Sequence, residues 1–267
     1  FGVSVAVEYT AFPATLILGA GFLAISPWRK TADVIKAFGL AAIAATIALI
    51  PVLTFHASAF GSPFEAGYAY TVYYHGHQGG FFGVGAPHPE ILAKLLVSDH
   101  YGMIWYAPIL FAMAWAVWLL IRDRARRMTA IVSIAIIVWY LTMNAGFAYW
   151  DGGATTGPRY LTPAIGFGAI ALGFGWPSFG PWARRAALAL LSISILINFV
   201  CTAVGMTAGS IFHEIPHGLL AADLRGALTY QVFKHASPVH FIAPLLALAT
   251  MAFLIAREAK FIGKTAS

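Results

Sequence analysis

Seven stretches of the chain are long and almost free of charge, and the segments between them alternate between basic and nearly neutral. A helix needs about 20 apolar residues to cross a hydrocarbon core about 30 Å thick, because only a helix closes its own backbone hydrogen bonds there. The stretches lie at about 5–26, 37–56, 103–121, 128–147, 161–177, 186–208 and 239–256. The fifth is short and relies on Pro163 as a first-turn proline, where the missing donor costs nothing. Of the 267 residues, 60% are hydrophobic and 10% charged, against about 25% charged in ordinary globular proteins. That is too little polar surface to coat a soluble body. The expected fold is therefore all-α: a polytopic transmembrane bundle of about seven spans forming a single domain over 1–267, with short interfacial helices in its outward loops. The lone Cys201 lies inside an apolar run, which excludes an internal disulfide scaffold or a zinc ribbon.

Basic residues set the expected orientation, since Lys and Arg accumulate in cytoplasmic loops. Arg29, Lys30 and Lys36 follow the first span, Arg122, Arg124, Arg126 and Arg127 the third, Arg184 and Arg185 the fifth, and Arg257, Lys260 and Lys264 the last. Only Lys94, Arg159, Arg225 and Lys234 fall in the longer opposite loops. The net charge of +6 thus points to a bilayer and its lipids as partner, not nucleic acid. This pattern predicts a multi-pass protein of the bacterial inner membrane with a cytoplasmic C-terminus. With an odd span count and an outward start at Phe1, the chain reads as the C-terminal part of a longer protein.

Under this topology all nine histidines lie in or beside outward loops, and most acidic residues join them, including Glu8, Glu65, Asp99 and Asp151. The outer face is the expected working face. No Asp, Glu, Lys or Arg sits at mid-span, which argues against an ion-coupled transporter. Asn144, Asn198 and Thr202 read as helix-to-helix hydrogen-bonding groups, and the glycine pairs Gly19/Gly21, Gly166/Gly168 and Gly173/Gly175 as sites of close helix approach.

The first outward loop, about 57–102, is long enough to carry function or its own structure. Tyr68, Tyr70, Tyr73 and Tyr74 suit either a headgroup-level aromatic belt or a platform for sugar or isoprenoid. Pro89–Ser98 reads as a surface-lying amphipathic helix with Ile91, Leu92, Leu95 and Leu96 on one side, and the stretch through Leu219, Leu220, Leu224 and Leu228 could do likewise. His75-Gly76-His77, with His88 or Glu65, raises a metal site, but its spacing is not diagnostic and a solvated glycine-rich loop accounts for it better. No metal or other cofactor is implied.

The sharpest local pattern is Tyr149-Trp150-Asp151-Gly152-Gly153-Ala154-Thr155-Thr156-Gly157-Pro158-Arg159-Tyr160. Arg159 offers a permanently charged fork suited to phosphate, and free N–H groups in the glycine turns would add anion affinity. Asp151 is either a positioning or catalytic carboxylate or a structural partner for Arg159.

Trp150-Asp-Gly-Gly followed by Gly157-Pro158-Arg159-Tyr160-Leu161 resembles the Trp-x-Gly-Gly … Gly-Pro-Arg-[Tyr/His]-Leu pattern of bacterial multi-pass proteins related to the GT-C, or protein-mannosyltransferase-like, glycosyltransferases. Phe60-Gly61-Ser62-Pro63 with Gly67-Tyr68, the stretch from Leu95 to Pro108, and Glu8-Tyr9 are similar to further segments of that group, so the resemblance covers about residues 5–170. It implies transfer of sugar from a polyprenyl-phosphate donor at the outer leaflet to a glycan, lipid or protein. It places the main catalytic carboxylate upstream of Phe1, so the catalytic residue stays unknown, with Asp151 the candidate within the chain. Arg159, Tyr160, Trp150 and Tyr68 are the expected substrate contacts. The alternative is a non-catalytic polyprenyl-lipid-binding or assembly subunit of the cell envelope.

Overall fold

The computed structural model describes residues 8–26, 31–65, 67–80, 82–153, 155, 157–204 and 209–220, together with Leu246 and Ala249. Among these residues the protein is helical throughout, with a single isolated β-bridge between Val84 and Phe147 and no strand. The chain divides into two compact units, 1–195 and 196–267. The helices are α1 (Ala11–Ile25), α2 (Thr31–Phe60), α3 (Pro89–Val97), α4 (Met103–Tyr106), α5 (Leu110–Arg122), α6 (Arg127–Ala145), α7 (Thr162–Gly175), α8 (Pro181–Val204) and α9 (Ile211–Leu220).

Among the described residues three helices are long and apolar enough to cross a membrane: α2, α6 and the Pro181–Thr202 part of α8. Two others, α1 and α5, are apolar but shorter. Six of the seven stretches read from the sequence contain a helix, while the seventh, 239–256, lies outside the described residues apart from Leu246 and Ala249. The third stretch is not one continuous helix. Pro108 lacks an N–H and biases Ala107 away from helical geometry, and Ala107 adopts φ −135° and ψ 67°. The chain therefore breaks into α4 and the 13-residue α5, which at 1.5 Å per residue spans only about 20 Å. The break exposes the amide of Ile109, which donates to Ser194 Oγ on α8 at 3.0 Å. Ser194 in turn donates to Leu190 O at 2.7 Å.

Helix α6 is the axis of the first unit. Ala130, Ser133, Ile136, Tyr140 and Met143 are buried at helical spacing, giving one continuous face toward α1, α5 and α7. Small residues let these helices approach. A Cβ on Gly21 would collide with Val132, one on Gly168 would lie 2.7 Å from Met113 Sδ, and one on Gly175 2.9 Å from the Ala116 Cβ. Gly19, Gly166 and Gly173 face open space, so only one glycine of each expected pair serves packing. Pro163 occupies the first turn of α7.

Helix α2 is different, for its 30 residues are mostly apolar and exposed nearly all round. Ile35 is 67% and Ile47 62% exposed. An isolated apolar cylinder of this kind requires an apolar surrounding. Thr46 and Thr54 return their hydroxyl protons to Ala42 O and Ile50 O. Its one buried residue is His56, near the C-terminal end.

Helix α3 forms over nearly the expected residues, but its apolar side does not lie free. Leu95 is fully buried, and Ile91 and Leu92 pack with it against Met143 and Ala145 of α6. The face assigned to lipid is spent on protein, because the long loop folds back over the end of α6. Of the other stretch expected to be amphipathic, Leu219 and Leu220 close α9, while Leu224 and Leu228 lie outside the described residues.

At the other end of the first unit, basic side chains cap helix carbonyls. Arg126 donates to Phe174 O at the end of α7 and Arg127 to Ile121 O at the end of α5, while Arg126 also pairs with Asp123 at 3.0 Å. Cations at helix C-termini oppose the macrodipole. These two arginines therefore have a structural role.

Candidate functional site

Two sets of hydrogen bonds join the long 57–102 loop to the glycine-rich loop that follows α6. The segment 83–88 runs antiparallel to 145–148: Gly85 N–H donates to Gly146 O at 2.7 Å, Ala148 N–H to Gly83 O at 2.8 Å, and His88 N–H to Ala145 O at 3.1 Å. Only a glycine fits at 146, where a Cβ would strike the Gly85 carbonyl. Farther out, Gly76 N–H donates to the Tyr149 hydroxyl at 3.0 Å. The 57–102 loop is thereby stapled to the start of the glycine-rich loop.

An aromatic array fills the space between them. Tyr68 stacks on His77 with ring centroids 4.8 Å apart, and His77 also meets Phe147 at 5.4 Å and Tyr149 at 4.8 Å. Phe147 continues to Tyr160 at 5.2 Å. On the other side Tyr9 meets Tyr68, Phe82 and His56. His77, raised above as a metal ligand, is thus a member of an aromatic stack, and its Nδ1 is buried without a partner. Among the described residues no three His, Cys, Asp or Glu side chains converge as a metal set.

The expected contacts sort into two groups. Tyr68 and Tyr160 belong to the first, with Glu8. Burial raises the Tyr68 phenol pKa, and the charges of Glu8, Tyr9 and Tyr160 add to it, so Tyr68 stands among these groups as a neutral donor. Arg159 joins them through Tyr160: its Nη2 donates to the Tyr160 hydroxyl at 3.0 Å, and its guanidinium carbon lies 4.9 Å from that ring's centroid. Trp150 and Asp151 form the second group with Tyr101 and Lys94. Trp150 meets Tyr101 edge-on at 5.1 Å, and Lys94 Nζ lies 5.7 Å from the Trp150 ring. Burial and then the Asp151 charge raise the Tyr101 phenol pKa.

The loop is shaped by glycines with positive φ. Gly152 is at +74° and lies under the Arg159 stem, where a Cβ would sit 3.1 Å from Arg159 Cγ. Asp151 does not brace this turn by pairing with Arg159. Its Oδ1 accepts from Gly153 N–H at 3.2 Å, and among the described residues no carboxylate lies within ion-pair distance of Arg159. Arg159 is exposed. Glu8 is likewise engaged locally, accepting from the Thr10 amide and hydroxyl.

Asn144 makes no helix-to-helix bond among the described residues. It is fully buried and both side-chain polar atoms are unpartnered. Thr202 instead donates to Asn198 O within α8. Tyr149 opens the glycine-rich pattern in the sequence, but a tyrosine beside such a turn carries no mark of its distant partner, the Gly76 amide. No family model, curated protein or solved structure matches the chain.

Proposed function

We propose that this protein is a membrane glycosyltransferase that takes sugar from a polyprenyl-phosphate donor, with Arg159 holding the donor phosphate. The observation that carries this reading is the exposed guanidinium of Arg159, which has no carboxylate partner among the described residues and donates to Tyr160 on a glycine-rich loop that follows a membrane-length helix. Such a fork suits a phosphate oxygen pair. The topology that goes with it has about seven spans, the Arg159 loop on the outer face of a bacterial inner membrane, and the C-terminus in the cytoplasm.

In the transfer reaction a carboxylate removes the acceptor hydroxyl proton while cations stabilise the departing lipid phosphate. Arg159 supplies the second function. Tyr68 and Tyr160 offer rings and hydroxyls to the sugar, and Trp150 with Asp151 lines the neighbouring side of the loop. The test is transfer of sugar from a polyprenyl-phosphate donor by the protein and its Arg159→Lys and Arg159→Ala forms. Turnover should fall sharply in both, and unchanged turnover with intact folding would remove Arg159 from the mechanism.

A second reading has one specific observation in its favour. Glu8 and Asp151, the carboxylates nearest the two aromatic groups, are both occupied with local turn hydrogen bonds. The same loop would then bind polyprenyl phosphate without chemistry, as a carrier or assembly subunit. Donor binding without transfer by the full protein distinguishes this case.

A further inference from the structure

We propose that His213 and His217 chelate a divalent metal ion of the Zn2+ class on helix α9. The two residues are four apart, so on a helix they stand on one face one above the other. Their imidazoles are 5.8 Å apart between centroids with planes 11° from parallel. Both side chains are exposed, so an ion reaches them from solvent.

The neighbouring carboxylate points the same way. His213 Nδ1 lies 3.3 Å from Glu214 Oε1. A carboxylate on Nδ1 fixes the proton there and leaves the lone pair on Nε2, which is how metal-binding histidines are oriented. Glu214 is itself seated. Gly209, at φ +145°, lies against it, and a Cβ at that position would come within 2.6 Å of Glu214 Cγ and 2.9 Å of Oε1. Any other residue at 209 would displace the carboxylate from His213.

His213-Glu214-Ile215-Pro216-His217 has the helical His-Glu-x-x-His spacing in which both histidines ligate zinc. In that motif the glutamate serves as a base. Here its contact with His213 makes it a positioning residue. Two imidazoles fill two positions of a tetrahedral site, and among the described residues no third protein donor joins them. Water completes the shell, giving an exchangeable ion instead of a closed structural centre. Imidazole pairs favour Zn2+, Cu2+ or Ni2+ over Mg2+ or Ca2+. Pro216, inside α9, has no amide to donate. A metal bridging His213 and His217 would cross-link the turn that this proline weakens.

The experiment uses the tag-free full chain in nanodiscs, stripped of metal and titrated with Zn2+ against a chromophoric chelator, with Co2+ absorption as a second readout. The protein should bind one ion that is lost in both His213→Ala and His217→Ala. Glu214→Gln should weaken binding by roughly 10–100-fold and shift the Co2+ spectrum. Should an alanine form fail to fold, His213→Gln and His217→Gln give the same comparison. Wild-type affinity and stoichiometry in either histidine variant would overturn the site, and an unaltered Glu214→Gln protein would overturn the orienting role.

Discussion

The Tyr9 hydroxyl and His56 Nε2 share a hydrogen bond of 2.9 Å, joining the start of α1 to the end of α2 across 47 residues of sequence. It anchors the one buried side chain of α2, a helix whose residues are otherwise mostly exposed. The rings of Tyr9 and His56 also open the aromatic array that leads through Tyr68 to Tyr160 and Arg159.

Tyr9→Phe should therefore destabilise the protein by about 1–3 kcal/mol, because it strands a buried imidazole nitrogen. Denaturation of the single variants and of Tyr9→Phe/His56→Leu in one lipid system checks this. The double variant should cost less than the two singles added, since they remove one shared interaction.

Leu95→Ala should cost about 2–5 kcal/mol, the usual range for a large-to-small change in a packed core. Val97→Ser, at an exposed position of the same helix, should stay within about 0.5 kcal/mol. Equal effects in thermal unfolding would mean that α3 faces lipid or water instead of α6.

Ser194→Ala removes the acceptor for the Ile109 amide behind Pro108. An unsatisfied buried donor costs about 1–3 kcal/mol. Ser192→Ala, whose exposed hydroxyl only returns to Leu188 O, should be close to neutral in the same measurement.

The raised phenol of Tyr68 carries a pH dependence. With a folded pKa above the ordinary 10.0, its contribution to stability is fully present below pH 10 and is lost as pH rises through the folded value. Ultraviolet titration should show a phenol ionising late in the wild type and missing from Tyr68→Phe. A phenol lost at the ordinary value would contradict the burial of Tyr68 beside Glu8.

Much of the helical frame is legible in the sequence because the bilayer requirement acts locally, through runs of apolar residues such as those of α2 and α6. The break at Pro108 is legible too, but hydropathy alone reads across it. What periodicity cannot supply is partner choice. The apolar side of α3 looks the same whether Leu95 meets lipid or Met143. Arg159 and Tyr160 stand out as chain neighbours, whereas Trp150 and Asp151, equally close in sequence, turn toward Tyr101 and Lys94. The spacing of His213 and His217 gains meaning only once 211–220 is helical and Glu214 is seen on His213 Nδ1.

Binding of polyprenyl monophosphate to the full chain in nanodiscs, compared with the uncharged polyprenol, tests the proposed function most directly. The phosphate should be preferred by the wild type and by Arg184→Ala, whose change lies beyond the far end of α7, and the preference should vanish in Arg159→Ala. Equal affinity for phosphate and alcohol, or a preference untouched by the Arg159 change, would contradict the account.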